Sequence, residues 1–290
     1  MTPGYRLLVA LMLFPSAPCA TQAQDDAAGL VAAEQSTAQL SGDSGLSVAL
    51  SRTVHPSGIL LWPGAPVVAG AGNIQRFLET LRDRDSLRLS WQPLGVYLAR
   101  DSSLGATWGV AVAVNRLVSN APKIGRYISV RRREGDKWAI AALLFTGTSL
   151  GSGKQRWEGL PVTQPAIGPK GAEAPFVRAD LDFARLAGDS GAAIAFRHWA
   201  AREAMSFGGG GLLTAGPDAI AKAVAGPAVW KWYPVAGGAA RSGDMGWTVG
   251  QAVITPKDGE PNYSKYLTVW RRLPEGPVRF LLDGGNSRPQ

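Results

Sequence analysis

The feature that most constrains this chain is that it repeats itself. Gly42-Asp43-Ser44-Gly45 recurs letter for letter as Gly188-Asp189-Ser190-Gly191, an offset of 146 (188 − 42). Ala69-Gly70 recurs as Ala215-Gly216 at the same offset (215 − 69). Trp91-Gln92-Pro93 then answers to Trp232-Tyr233-Pro234, and Gly105-Ala106-Thr107-Trp108-Gly109 to Gly246-Trp247-Thr248-Val249-Gly250, both at 141 (232 − 91). Arg126-Tyr127-Ile128-Ser129-Val130 answers to Lys265-Tyr266-Leu267-Thr268-Val269 at 139 (266 − 127). The order is kept and the offset drifts only by loop-sized steps, as a tandem duplication requires. Copies this long are domains, not the 20–50-residue units of a solenoid.

The second copy begins near residue 175. Val177, Leu181, Phe183, Ala184 and Leu186 make a helical stripe, and Gly188-Asp189-Ser190-Gly191 turns the chain into a second helix, Ala192 to Arg202. In that turn, Asp or Ser is placed to cap the next helix. A short strand, Met205 to Phe207, precedes four glycines, and Gly216-Pro217-Asp218 opens a third helix running to Val224. The period then falls to two over Val229–Ala236, Gly246–Ile254, Ser264–Arg272 and Val278–Asp283. Turns rich in Gly, Pro, Asp and Ser separate these four strands. The first copy, 24–150, carries the same grammar, with helices at Ala28–Leu40, Leu46–Thr53 and Asn73–Leu81. Its strands fall at Leu87–Ala99, Thr107–Leu117, Gly125–Arg133 and Trp138–Leu144. Residues 151–174, rich in Gly and Pro, form a linker. Helices followed by an antiparallel meander describe an α+β domain, with helices covering one face of the sheet.

The first 23 residues read as an export signal. Arg6 precedes the apolar run Leu7 to Phe14, which is too short to span a bilayer, and Thr21-Gln22-Ala23 places small side chains at a cleavage site. The expected location is therefore the periplasm or the outside of a bacterial cell. Cys19 is the sole cysteine and falls inside this leader, so the processed chain forms no disulfide. Pro18 stands where a lipidated cysteine is normally preceded by a small residue. No later stretch reaches spanning length, and stable membrane insertion is not expected. A net charge of +8 raises the question of nucleic acid, but the basic residues are scattered. The one run, Arg131-Arg132-Arg133, ends a strand, and no nucleic-acid partner is expected.

The order of motifs in the second copy is similar to that of a known superfamily. Gly243-Asp244-Met245-Gly246-Trp247-Thr248-Val249-Gly250, Tyr266-Leu267-Thr268-Val269-Trp270-Arg271 and Leu282-Asp283-Gly284-Gly285 carry the likeness. They resemble the SnoaL-like and nuclear-transport-factor-2-like superfamily, in particular its ketosteroid-isomerase-like bacterial branch. The resemblance covers nearly all of 175–286, and the first copy follows as a degenerate member. It implies two tandem cone-shaped domains, each with three N-terminal helices packed on a strongly bent antiparallel sheet. It also implies an apolar pocket at the wide end of the cone. Members commonly dimerise through the sheet, so the two copies can form an internal pseudo-dimer, or the chain a homodimer.

Enzymes of this superfamily place an acid inside the cone with Tyr, His or a second acid, for general acid–base chemistry. Three residues here are candidates. Asp283 ends the last strand, whose alternation puts it on one face with Arg279 and Leu281. Glu203 stands where many members carry an acid, and the first copy has Ser57 in its place. Tyr266 offers a hydroxyl to a ligand oxygen. Trp230, Trp232, Tyr266 and Trp270, with Asp283, make an aromatic frame suited to an apolar ligand. Each also has a bland alternative as core filling or a satisfied strand-end acid. His55 and His198 are isolated, so neither a zinc site nor any other metal or cofactor is expected. Gly208 to Gly211 has no following Lys-Ser or Lys-Thr and is not a phosphate loop. The leading expectation is a non-catalytic exported protein that binds a small apolar or amphipathic molecule, or a partner, in the second cone. The alternative is an isomerase-, dehydratase- or hydrolase-type enzyme using the same pocket, with Asp283 or Glu203 as base.

Overall fold

The computed structural model describes residues 19–81, 86–115, 119–146, 174–208, 212–272 and 276–290. Nearly all of the leader and the linker lie outside these ranges. The first copy runs α1 (Cys19–Ser44), α2 (Leu46–Thr53), β1 (Val54–Leu61), β2 (Val67–Ala69), α3 (Ala71–Thr80), β3 (Leu87–Leu98), β4 (Leu104–Asn115), β5 (Ser119–Glu134) and β6 (Lys137–Thr146). The second runs α4 (Ala174–Ser190), α5 (Ala192–Trp199), β7 (Ala200–Phe207), β8 (Leu213–Ala215), α6 (Pro217–Ala223), β9 (Val229–Ala239), β10 (Met245–Thr255), β11 (Asn262–Arg272) and β12 (Val278–Ser287). Two α+β cones in tandem result, as the repeat demanded.

The helix breaks come from glycine rather than from side-chain caps. Gly45 and Gly191 hold φ of 94° and 89°, a conformation that a side chain resists, and neither α2 nor α5 receives a side-chain cap. The capping role expected of Asp or Ser is therefore not filled. Those residues instead finish α1 and α4. The helix expected over Ala192–Arg202 stops at Trp199, because Ala200 onward is drawn into β7 beside β12. The equivalent β1, not anticipated in the first copy, is drawn in beside β6.

Each sheet is six strands in the order β2-β1-β6-β5-β4-β3 or β8-β7-β12-β11-β10-β9. The four-strand meanders are antiparallel as expected, but β1–β6 and β7–β12 are parallel, so the sheets are mixed. Bulges at equivalent positions bend them. One extra residue, Leu94 or Val235, is inserted opposite β4 or β10, and another, Ala141 or Leu281, opposite β5 or β11. Crowding at the first bend explains a repeated glycine. A Cβ on Gly109 would collide with the Gln92 carbonyl, and one on Gly250 with the Tyr266 ring.

The two sheets meet through the faces turned away from their helices. One buried apolar cluster takes in Ile128, Val130 and Leu144 of the first cone and Leu267, Val269 and Leu282 of the second. Gly284 lets the sheets approach, since a Cβ there would stand 3.0 Å from Leu144 and 3.1 Å from Ile128. At one edge of this contact the β3–β4 and β9–β10 turns bind each other reciprocally. The amide of Arg241 donates to Ser103 Oγ at 2.9 Å, and the amide of Arg100 donates to Asp244 Oδ2 at 3.0 Å. Arg100 and Arg241 are equivalent at 141 (241 − 100), as are Ser103 and Asp244 (244 − 103). Exchange of equivalent partners is the mark of a two-fold relation.

Because each cone already covers the sheet face of the other, the chain is expected to sediment as a monomer. Its mass should lie near the 30.5 kDa of the full sequence, less any leader removed. A concentration-independent dimer in analytical ultracentrifugation would contradict this.

Candidate functional site

Deep in each cone the first helix sends a carboxylate into the sheet. Glu34 of α1 and Asp180 of α4 are equivalent at 146 (180 − 34), and both are fully or almost fully buried. Each accepts an indole N–H from the first long strand: Trp91 Nε1 donates to Glu34 at 2.5 Å, and Trp232 Nε1 to Asp180 at 3.0 Å. Beyond that bond the cones differ. In the first, Arg131 donates to Glu34 at 2.6 Å and to Thr37 Oγ1 at 2.8 Å. Its charge cancels that of the acid inside a dry core. In the second, Trp270 replaces Arg131 and donates instead to Thr248 Oγ1 at 2.8 Å. Tyr266 turns its hydroxyl on Asp180 at 2.9 Å. Asp180 thus has hydrogen bonds but, among the described residues, no cation, and burial pushes its carboxyl up to about 6 against the hydrogen bonds from Thr248, Tyr266 and Trp232.

The interior above this cluster is filled in one cone and open in the other. The sheet registers pair Leu60 with Leu143 in the first cone and Ser206 with Asp283 in the second. They also set Phe145 opposite Tyr127 where Gly285 stands opposite Tyr266. Trp62 and Gly208 are equivalent at 146 (208 − 62). So Leu60, Trp62, Leu143 and Phe145 give way to Ser206, Gly208, Asp283 and Gly285. In the first cone Phe145 packs edge-on against Trp62 at 5.9 Å and Trp91 at 5.4 Å between ring centres. In the second, all four replacements line a cavity of about 380 Å³, walled also by Phe183, Phe196, Trp230 and Trp232. A trace of the difference survives in the first cone. Ser129, equivalent to Thr268, keeps a buried hydroxyl with no hydrogen-bond partner among the described residues. Thr268 donates to Asp283 Oδ1 at 2.8 Å, an acceptor that Leu143 does not supply.

Asp283 reaches the cavity because of a bulge. Simple alternation sets it with Arg279 and Leu281, but β11 pairs Trp270 with Phe280 and Val269 with Leu282, leaving Leu281 as an extra residue. The strand changes phase there, and Phe280 and Asp283 share the inner face. Asp283 keeps some accessible surface because it lines the cavity, yet protein encloses it closely. Burial pushes its carboxyl up to about 7; the Thr268 bond pulls it down and the nearby Asp180 charge raises it further. A carboxyl with that value holds or releases a proton near neutrality.

The other expected residues are distributed unevenly. Trp230, Trp232 and Tyr266 line the cavity with Asp283. Trp270 does not: it is fully buried, packed on Phe183, Trp199 and Phe280 below the cavity floor. Its polarity is spent on Thr248. Glu203 is outside as well, half-exposed on β7 and paired with Arg271. The Tyr266 hydroxyl is committed to Asp180, so it is not a free donor to a ligand. Asp180 itself was not among the expected site residues, although its place in the apolar stripe of α4, matched by Glu34 in α1, marks it. Among the described residues no group of three or more His, Cys, Asp or Glu is placed to hold a metal ion.

No protein-family model and no curated protein sequence matches the chain. Solved structures do match, each over about one cone. A nuclear-transport-factor-2-like protein with a cystatin-like fold from Novosphingobium aromaticivorans is 16% identical, with 46% of this chain and 88% of that one covered at a TM-score of 0.38. A nuclear-transport-factor-2-like protein from Pseudomonas putida is 17% identical, covering 40% and 85% at 0.34. A ketosteroid isomerase-like protein from Erwinia carotovora is 13% identical, covering 40% and 93% at 0.32.

Two outcomes follow from the buried acids. Asp180 and Asp283 titrate in the folded chain at about 6 and about 7, above the ordinary 3.8. Between pH 4 and 7 the folded state therefore holds protons that the unfolded state releases, and stability falls as pH rises through that window. Asp283→Asn should flatten the fall in melting temperature between pH 5 and 8, recovering on the order of 2 kcal/mol at pH 8. In the first cone, Arg131→Met leaves Glu34 buried without its cation and should cost about 3–5 kcal/mol in a denaturant titration at pH 7.

Proposed function

We propose that the second cone is a binding site for a small, largely apolar and uncharged molecule whose polar group lies against Asp283. The exchange of Leu60, Trp62, Leu143 and Phe145 for Ser206, Gly208, Asp283 and Gly285 carries this reading. It empties one cone of two and leaves one carboxyl, that of Asp283, in an aromatic wall. A cavity of about 380 Å³ is at the small end of the range for small-molecule sites. An uncharged ligand suits a carboxyl whose charged form burial disfavours. The same reading makes the first cone a structural partner, and the leader-like first 23 residues support a location outside the bacterial cytoplasm.

A second reading is acid–base catalysis by Asp283, favoured by one observation: its proton affinity matches neutral pH, the condition for an efficient general acid or base. Against it stand the engagement of the Tyr266 hydroxyl with Asp180 and of Glu203 with Arg271. The expected hydrogen-bond donor is engaged, and the alternative base, Glu203, does not line the cavity. Binding without turnover is the better supported function.

Titration with 1-octanol and 2-octanone, followed by the fluorescence of Trp230 and Trp232, tests both readings. Binding is expected, and the ketone, which can only accept a hydrogen bond, should bind more weakly above pH 7 as Asp283 loses its proton. Asp283→Ala should weaken it about tenfold at pH 6 by removing that donor. If neither compound alters the fluorescence or the melting temperature, the binding role is wrong. Exchange of the ketone's α-hydrogens for deuterium, lost in Asp283→Asn, would instead establish catalysis.

A further inference from the structure

The wall of the second cone's cavity includes one residue that the second cone does not supply. Pro63, buried in the loop between β1 and β2, lies in the lining beside Asn286 and Ser287. The second cone's own residue equivalent to Trp62 is Gly208, so it presents no bulky side chain there. The first cone's loop borders the cavity through Pro63, and its backbone is fastened on both sides of that residue. Asn286 Nδ2 donates to the Leu61 carbonyl at 2.8 Å, Lys265 Nζ to the Trp62 carbonyl at 2.8 Å, and the Gly64 amide to the Ser287 carbonyl at 2.9 Å.

Lys265 is an unusual residue for such a tie. It is fully buried, its ammonium is held by the carbonyls of Trp62 and Ser287, and no ion pair to it is found among the described residues. Burial lowers its proton affinity, as expected for an ammonium taken out of water without a counter-charge. A lysine so placed is costly as packing. What it accomplishes is to fix the Trp62 carbonyl, and with it the adjacent Pro63 ring. The ring itself cannot turn aside, because proline holds its own φ.

We propose that Pro63 is a specificity-determining residue: the first cone supplies a rigid wall, clamped by Lys265 and Asn286, that limits the length of molecule the second cone accepts. The proposal rests on the reading of the cavity as a small-molecule site. It gives the filled first cone a part in recognition besides covering a sheet face. A ligand that touches Pro63 also bridges the two cones, so occupancy and the contact between cones strengthen each other.

The test is a series of 1-alkanols from hexanol to dodecanol, with dissociation constants read from Trp fluorescence. In the unaltered protein, affinity should rise by roughly fourfold per methylene and then stop rising where the chain meets the wall. Pro63→Gly should move that limit to longer alkanols, and Pro63→Trp should move it to shorter ones. Melting curves establish that each variant is folded. In the unaltered protein, saturating alkanol at the length limit should slow hydrogen exchange at the Gly64 amide, a readout that needs no substitution. An unchanged length limit in the folded variants, or unchanged Gly64 exchange, overturns the proposal. If alkanols bind and Asp283→Ala weakens all lengths alike, the binding reading survives that failure. If no alkanol binds the unaltered protein, both fall together.

Discussion

The bond on which each cone depends joins a buried carboxylate of its first helix to an indole N–H of its first long strand. An acid among apolar side chains is tolerated only when its oxygens are satisfied. Glu34 and Asp180 meet that demand with Trp91 and Trp232, and the indoles in turn need an acceptor once buried. Apolar contact alone does not fix where a helix lies along a sheet. A directional bond between two groups that both need it does. The bulges, the glycines at the bend and the aromatic packing are arranged around helices located in this way.

On that shared foundation, a few side chains decide how the interiors of the two cones differ. Arg131 gives Glu34 a counter-charge, and the space above is closed by Phe145 and Trp62. Trp270 leaves Asp180 without a cation, and Gly285, Gly208 and Asp283 leave the space above open. The electrostatic difference and the steric difference act together. A filled core wants its charge neutralised on the spot. The second cone supplies neither acid with a counter-charge among the described residues, and burial raises the two carboxyls to about 6 and about 7. The cavity is thus the visible result of substitutions that also set its chemistry.

Much of the fold is legible in the sequence because repetition supplies a second reading of every element. The Gly-Asp-Ser-Gly turns, the four meander strands and the α+β class all follow from two copies in agreement. Of the parallel strands, only Met205 to Phe207 of β7 follows; the rest of β7 and all of β1 do not, because their partners lie far along the chain and their own residues show no clean alternation. Bulges are similarly hidden. Nothing near Leu281 announces that the strand changes phase, yet that change carries Asp283 away from the face of Arg279 and sets it with Phe280. Trp270 reads in the sequence as part of an aromatic frame, but its difference from Arg131 marks a buried charge that the second cone lacks and not a residue of the cavity lining. The exchange of Phe145 for Gly285 was equally available and more telling. Seeing it required the sheet register, which sequence offsets between 139 and 146 leave ambiguous by several residues.

The reciprocal turns at Arg100 and Arg241 show a symmetry that is only approximate, and the approximation has an evolutionary consequence. When two identical subunits associate, one gene encodes both sides, so any change to a pocket is imposed on both pockets at once. Joining the halves in one polypeptide removes that obligation. Trp62 and Gly208 descend from one ancestral position, as do Leu143 and Asp283, but each is now inherited separately. A half whose interior is filled is free to serve as a fixed surface for its neighbour. Lys265 shows the same freedom, since it is fully buried while its equivalent, Arg126, paired in register with Val110 and Thr146, is only partly so. Covalent linkage thus does more than raise the local concentration of two domains. It lets them specialise in opposite directions while keeping the contact that holds them together.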